Sequence, residues 1–511
     1  MLVRNTLPPS TMSTRSGRVD NLGIGPAQGL VWALACGLLI ACAQVIVKSH
    51  SLKYPAALIV AAAALSILLV VRHKYTLAIF SAGFILPFFV QYILVERDNQ
   101  ALGVTGSFLV NLTLLAVAYG TGALRRNRFF TCPWIVGPTV LFLVAGIASM
   151  MNTSDRTLGL IALEREAEMP VVFLILINVL TEVAHVVYFL RGLYIGFAIE
   201  CVIYVIQNFL GYSFDILGNT RIGGMTDVAA GRIGFQRGTF AASPHTAAEY
   251  FCVLTLLLVG IYLSRRRLPI RLNPMVGMLM GGACLVLAAK RAPLAGFAMG
   301  LVTICLLVLV HARWALRRLA PLFVGLALPA LVLLPLLWLR THQDNEGSYE
   351  ERMNLTRVAW QMYSAHPVLG VGPGNYDSVK REFLPGDWSG WLYRVHNRYL
   401  LVLAETGSLG LGSLLIVYIV IFTHACRGVA RIEDDFRPIQ IALVGIFVAF
   451  YWEMFWHMFD SKQQGYLFWF MAALSVILPK VLPNRTRWNG PEGSGGGSSV
   501  QFLMAPRGGR E

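Results

Sequence analysis

The sequence is short of charge. Asp, Glu, Lys and Arg make up 14% of its 511 residues, against roughly 25% in soluble domains. That is too little to coat the several water-facing domains that such a length would otherwise hold. With 56% hydrophobic residues, it excludes a string of soluble domains, a disordered chain and a coiled coil. Cysteine usage excludes more. Cys36, Cys42, Cys132, Cys201, Cys252, Cys284, Cys305 and Cys426 lie almost all within or at the edge of apolar runs, with no CxxC and no Cys/His pair at zinc spacing. They read as small core residues rather than a disulfide scaffold or a metal site. HExxH, Walker A and GxSxG are also missing, so zinc proteolysis, P-loop chemistry and the hydrolase nucleophile elbow find no support.

What is present is a succession of long apolar runs, the mark of an all-α, polytopic helical membrane protein. After a polar, basic stretch at 1–23 comes a run at 28–48 that is too long for a signal-peptide core. Further spans are expected near 54–71, 76–95, 102–123, 132–151, 170–188, 192–212, 245–264, 274–289, 293–311, 319–339, 399–423, 439–459 and 465–483, about 12–14 in all. The formal charge of +15 would suggest nucleic acid in a soluble chain. Here its distribution argues otherwise. Arg72/Lys74, Arg125/Arg126/Arg128, Arg265/Arg266/Arg267/Arg271, Arg313/Arg317/Arg318, Arg427/Arg431/Arg437 and Arg485/Arg487 fall in alternate connections. With fourteen spans these and both termini share one side, which the positive-inside rule makes the cytoplasm. No nucleic-acid partner is expected. The membrane domain covers 24–484, and the Gly/Ser-rich tail from 485 to 511 reads as disordered.

Two longer segments, 213–244 and 340–397, then face outward, where Lys and Arg should be scarce. The first nevertheless holds Arg221, Arg232 and Arg237, and a short outward turn holds Lys290 and Arg291. The second carries Arg340, Arg352, Arg357, Lys380, Arg381 and Arg394, with Arg398 just beyond. Guanidinium forks suit phosphate oxygens, and two or three converging would hold a diphosphate. Each arginine alone is equally an outward salt bridge or a headgroup contact. His396, at the mouth of the span that follows, could take a proton from a hydroxyl near neutral pH, or be an inert interfacial residue, as His245, His342 and His366 are read. Glu405, deeper in the same span, needs a partner that the sequence does not name. GVGPGNY (370–376) lacks a P-loop lysine and reads as a tight turn. Asp344, Glu346, Glu350 and Glu351 read as a solvated helix start rather than a cation site, and Glu96 and Asp98 as ambiguous loop acids.

Three patches together resemble the O-antigen ligase family, which includes repeat-unit polymerases of bacterial surface polysaccharides. RGTFAASPHTAAEY (237–250) is similar to an Arg-x-x-Gly-x-Phe stretch before a span, with His245 where Asn is more usual. AAKRAPLAG (288–296) is similar to a Ser-Arg-Gly/Ala segment opening a helix, with Lys290 in place of Ser. ERMNLTRVAWQMYSAHPVLGVGPGNY (351–376), followed by HNRYLLVLAETGSLG (396–410), resembles the Arg…Trp…His-Pro-x-x-Gly-x-Gly run and its His-Asn-x-x-Leu…Glu-x-Gly-x-x-Gly partner. The likeness spans about 220–425, with 340–397 as its large periplasmic loop. It implies a GT-C-like, inverting, metal-independent glycosyltransferase of the bacterial inner membrane, with no cofactor and with its site facing the periplasm. The donor would be an undecaprenyl-diphosphate-linked glycan. The acceptor would be a lipid-linked repeat unit or lipid A–core, with polymerase slightly favoured because ligases usually have twelve spans. Membrane lipids, a chain-length regulator and a flippase of the same pathway would be its companions. The resemblance makes His396 the base and Arg237, Arg291 and Arg352 the diphosphate ligands, with Glu405, Asn397 and Arg232 in support. The rival readings are a lipid-linked glycan flippase or other polysaccharide transporter, which would carry its charges on broken helices at the midplane, and a non-enzymatic scaffold of an export complex.

Overall fold

A computed structural model of the chain describes residues 73–88, 91–97, 100–126, 129–210, 238–239, 243–265, 272–288, 290–319, 321, 348–384 and 394–483. The expected spans at 28–48 and 54–71, nearly all of 319–339, the tails 1–23 and 485–511, and most of 213–244 lie outside the described residues. The rest is an all-α membrane bundle with one small sheet. In chain order it comprises α1 (Lys74–Phe84), β1 (Gln91–Arg97), β2 (Gln100–Thr105), α2 (Gly106–Gly120), α3 (Pro133–Ser149), α4 (Arg156–Val179), α5 (Val183–Leu210), α6 (Pro244–Leu263), α7 (Pro274–Ala288), α8 (Arg291–His311), α9 (Ser348–Ala365), α10 (Arg398–Arg431), α11 (Arg437–Trp456) and α12 (Lys462–Val481). Among the described residues, seven helices are long and apolar enough to cross a membrane, and α2 and α7 are shorter apolar helices.

The sequence supplies the helix starts. Asp155 caps α4, Ser243 followed by Pro244 opens α6, Asn397 caps α10, and Ser461 with Gln464 forms a reciprocal capping box on α12. Each cap satisfies amide groups that neither lipid nor a buried interface would solvate. Packing within the bundle relies on small residues, as bilayer helices do. A Cβ on Gly300 of α8 would come within 2.9 Å of the Gly445 carbonyl on α11, and one on Gly445 within 2.7 Å of the Gly300 carbonyl.

The helices alternate in direction, and their basic ends meet. The Arg265 amide donates to the Asp435 carbonyl (3.0 Å), Arg437 Nη1 to the His311 carbonyl (2.9 Å), and Arg318 to the Ser264 carbonyl. Lys480 lies 3.0 Å from the Phe130 ring centroid, and Ile432 pairs with Pro483. The alternation expected from the sequence therefore holds through the described helices, and the cation-rich turns share one end.

Two boundaries differ from expectation. The run at 76–95 is an eleven-residue helix followed by β1, which pairs antiparallel with β2 across a bulge at Ile93/Val95. Gln100 donates to the Gly374 carbonyl (2.8 Å) and Lys462 to the Gly103 carbonyl (2.8 Å), so the hairpin stands at the other end of the bundle. The expected span at 170–188 is the second half of α4, which begins at Arg156 and breaks at 180–182. Its charged stretch is tolerated because the partners come from distant helices. Glu164 and Glu168 meet Lys462 (2.7 and 2.5 Å), and Glu166 meets Arg398 (2.8 Å).

α10 is broken near its start. Gly407 has φ 64° and ψ −166°, a conformation open essentially to glycine alone. The peptide groups freed at the break are taken up by residues 367–372. The Ser408 and Leu409 amides donate to the carbonyls of Pro367 (2.9 Å) and Val368 (3.3 Å), and the amides of Val371 and Gly372 donate to the carbonyls of Ala404 (3.0 Å) and Glu405 (2.9 Å). Gly370, Gly372 and Gly374 all have positive φ, which lets the turn lie against the helix. Asn375 extends the stitch to the α3–α4 connection through the Asp155 amide (2.8 Å) and carbonyl (3.1 Å). Arg394 closes the other end of the segment by bridging Asp377 and Asp460 (2.7 Å to the latter).

Two variants test this docking. A Cβ at Gly407 would enter a glycine-only backbone region and strike the Val368 carbonyl, so Gly407→Ala should cost at least about 2 kcal/mol. It should lower the melting temperature in nanodiscs and expose 366–372 to amide exchange. Arg394→Met leaves buried Asp460 without its cation and Asp377 with Lys380 alone (2.7 Å), and should cost about 3 kcal/mol, whereas Arg394→Met with Asp460→Asn should recover part of it. Unchanged melting of Arg394→Met would show that the bridge is dispensable.

Candidate active site

Where the segment between α8 and α10 meets the bundle, three histidines from distant parts of the chain come together. His245 is in the first turn of α6, His396 directly precedes the Asn397 cap of α10, and His457 follows the last residue of α11. The rings of His245 and His457 stack face to face at 4.2 Å with an interplanar angle of 7°, and His396 meets His457 edge-on at 6.4 Å. Beneath them, His245 Nε2 is 3.9 Å from Glu453 Oε2. Lys290 and Arg352 are near enough to act electrostatically on His245.

His396 is held by its neighbours on both sides. The Asn397 side chain accepts the Leu400 amide (3.0 Å), and Arg394 is locked by its two carboxylates. Burial pushes the His396 imidazole below its ordinary range, and the Arg352 guanidinium pushes the same way. A hydrogen bond to the Arg394 backbone and the charge of Asp460 oppose the shift without cancelling it. A neutral ring keeps one nitrogen as a proton acceptor at neutral pH. His457 is pushed down to about 4, by burial first and then by His396 and Arg352, against the pull of Asp460. Burial would raise the Asp460 carboxyl, but the Arg394 guanidinium overrides it and holds the group below the usual carboxylate range. The niche therefore combines neutral imidazoles with fixed cations, a set that can accept a proton from a hydroxyl and neutralise charge growing on a phosphate oxygen.

The structure sorts the residues expected from the sequence. His396 and Arg352 come together, with Lys290 and His245 beside them. Arg291 is exposed at the first position of α8, one residue from Lys290. Asn397 is a helix cap. Glu405 lies under the glycine turn, where its Oε1 accepts the Tyr376 amide (3.3 Å) and its backbone carbonyl accepts Ser149 Oγ (2.8 Å). This is the partner the sequence did not name, and it makes Glu405 part of the stitch rather than of the niche. Arg221, Arg232, Arg237, Arg340, His342, Asp344 and Glu346 lie outside the described residues. His366 is exposed, away from the niche. His457, Asp460 and Gln464 were not singled out from the sequence. The available signal was a His and an Asp three residues apart in the brief connection between the last two spans, opposite an Arg-x-His pair before α10.

The geometry can be set against known proteins. No curated protein matches the chain. A family model described as O-antigen ligase matches residues 276–415. The match runs from α7 into α10 and encloses Lys290, Arg291, Arg352, the glycine turn, Arg394, His396 and the break at Gly407. This segment, which supplies Lys290, Arg352 and the partly buried His396 of the niche as well as the glycine turn, is where the chain is similar to the O-antigen ligase family.

Proposed function

We propose that the protein is an inner-membrane glycosyltransferase that moves a glycan from an undecaprenyl-diphosphate-linked donor to an acceptor sugar hydroxyl at the outer face. The observation that carries the reading is that the exposed Arg352 lies near enough for its charge to act on His396, both inside the family match. Orientation follows from the clustered basic turns at the opposite end, which belong in the cytoplasm.

In this reading the acceptor oxygen attacks the anomeric carbon from the face opposite the diphosphate. The new C–O bond forms as the sugar–phosphate bond breaks, so configuration inverts. The hydroxyl proton passes to the neutral nitrogen of His396, and the bonding pair leaves with undecaprenyl diphosphate. Lys290, Arg291 and Arg352, with Arg237 from beyond the described residues, neutralise the charge that develops there. No nucleotide and no metal are needed for that balance. The acceptor is read as a second lipid-linked repeat unit, because the helix alternation fits fourteen spans, two more than ligases of the family usually have.

Transport is the rival that the break in α10 would favour, since unwound helices expose backbone groups to ions. Here the amides of Ser408 and Leu409 and the carbonyls of Ala404 and Glu405 are all bonded to the 367–372 turn, which takes up the groups that an ion would use.

The test is transfer in proteoliposomes with undecaprenyl-diphosphate-linked glycan, EDTA and no nucleotide. A ladder of longer lipid-linked glycans from donor alone is expected, whereas a shift of added lipid A–core would mark a ligase. His396→Ala should lower transfer by at least about a thousandfold at equal membrane levels, and normal product from that variant would sink the assignment. The pH profile gives a second check. A base protonated below its pKa is inactive, so the depressed pKa of His396 should keep kcat/KM level to below the ordinary histidine range. Arg352→Gln removes a cation that disfavours the imidazolium, so its acid limb should move to higher pH, by roughly half a unit. An unmoved limb would separate Arg352 from His396.

A further inference from the structure

We propose that His457 is a second catalytic histidine, carrying its proton on Nε2 and donating it as a hydrogen bond to a phosphate oxygen of the leaving lipid diphosphate, and that Gln464 is the positioning residue that sets this tautomer. The inference rests on the glycosyl-transfer reading above.

The tautomer follows from a chain of groups whose roles are fixed. Gln464 is the N3 residue of the α12 capping box. Its Oε1 accepts the Ser461 amide (3.4 Å) and the Ser461 hydroxyl (2.9 Å), so the amide oxygen is committed. Its Nε2 faces a Glu249 side-chain oxygen and also lies 3.3 Å from His457 Nδ1. The amide orientation is therefore set by the Ser461 backbone N–H, which can only donate and so needs the amide oxygen on that side. A second donor, the Phe459 amide, points at the same Nδ1 from 3.3 Å. Phe459 adopts φ 48°, a left-handed conformation unusual for an aromatic residue, and the tight turn it forms brings that amide back onto the ring. Two donors on Nδ1 require a lone pair there, so the proton of a neutral imidazole sits on Nε2, on the ring edge away from Gln464.

The surroundings give that donor its use. The groups facing His457 are Asp460 in its own turn, Glu453 on α11, His245 and, through Gln464, Glu249 on α6, His396 before α10 and Arg352 on α9. The His245 stack holds the plane of the ring, and the ring is neutral throughout the working range because it titrates at about 4. With Nδ1 occupied, His457 cannot serve as a base, and only donation remains. The electron-rich partner that Arg352 and Lys290 draw into the niche is the diphosphate.

Two measurements on the full chain in nanodiscs test this. The ¹⁵N signals of His457, assigned by their loss in His457→Gln, should be acceptor-like at Nδ1 and N–H-like at Nε2 at pH 7. Gln464→Glu should turn both N–H-like, since a carboxylate at Nδ1 favours the imidazolium. A protonated Nδ1 in the wild-type protein would overturn the tautomer without any variant having to fold. Binding of farnesyl diphosphate should weaken at least about tenfold in His457→Leu, and transfer should fall about a hundredfold, as for loss of one oxyanion donor. His457→Gln, which keeps an N–H near that position, should recover most of both, with no change in farnesyl diphosphate affinity between pH 6 and 8 that depends on residue 457. Wild-type transfer with His457→Leu equally active would overturn this proposal alone. Binding that depends on His457 in a protein that transfers nothing would instead overturn the glycosyl-transfer reading and leave His457 as a diphosphate ligand.

Discussion

A peptide group freed inside a membrane protein must find a partner in the protein, because lipid offers none. The break at Gly407 frees several such groups in the first turns of α10, and the backbone of residues 367–372 takes them up. From that obligation the rest of the site follows. The turn must approach the helix closely, which its glycines permit, and Asn375 must then reach the α3–α4 connection. The segment that re-enters α10 is held by Arg394 between Asp377 and Asp460. His396, two residues from Arg394 and one from the Asn397 cap, has little freedom left. The Glu-x-Gly and Gly-x-Gly elements that look like signatures of chemistry are the two halves of one backbone joint.

The ion pairs around that joint do a different job from the joint itself. Lys462 with Glu164 and Glu168, Arg398 with Glu166, and Arg394 with Asp377 and Asp460 lie at the starts of α10 and α12 and along the early turns of α4. Removing such charges from water offsets much of their attraction, so they are poor sources of net stability. Their value is in matching. Each cation accepts only a helix that presents its carboxylates at the right height, which fixes the register of α4, α10 and α12. Thr105, Tyr466 and Glu168 join the same layer and carry the register to the hairpin.

Much of this was legible in the sequence because hydropathy and loop charge are one-dimensional signals. The direction of the described membrane helices and the shared side of Arg265, Arg318 and Arg437 could be read from them. His396 was legible because it stands in a dense local motif. The hairpin was not: QYILVER continues the apolar run of α1, and run length alone does not separate a strand from a helix end. The start of α4 was hidden because LEREAE reads as a loop until Lys462 and Arg398, hundreds of residues away, are known to neutralise it. His457 was hidden for the same reason. The His and Asp of a short connection are only a weak local signal, and packing alone shows that α6 and α11 bring His245 and His457 into a stack.

The composition of the niche divides along the chain in a way that bears on specificity. Lys290, Arg352 and His396 all lie within the matched segment, whereas His245, His457 and Gln464 come from α6, the α11–α12 connection and α12, outside it. The matched segment thus brings fixed charge and a proton acceptor, which the proposed transfer from a lipid-diphosphate donor would require. The flanking helices bring neutral rings whose orientation depends on an amide and a capping box. Fixed charge attracts every phosphate, but an oriented neutral donor is stabilising only where an oxygen arrives in the right direction. Discrimination among donors of equal charge should therefore reside in the flanking helices rather than in the motif. The departure at Lys290 fits that division. An ammonium adds charge where the family usually has a hydroxyl, and a site so strengthened in attraction depends all the more on directed hydrogen bonds for its selectivity.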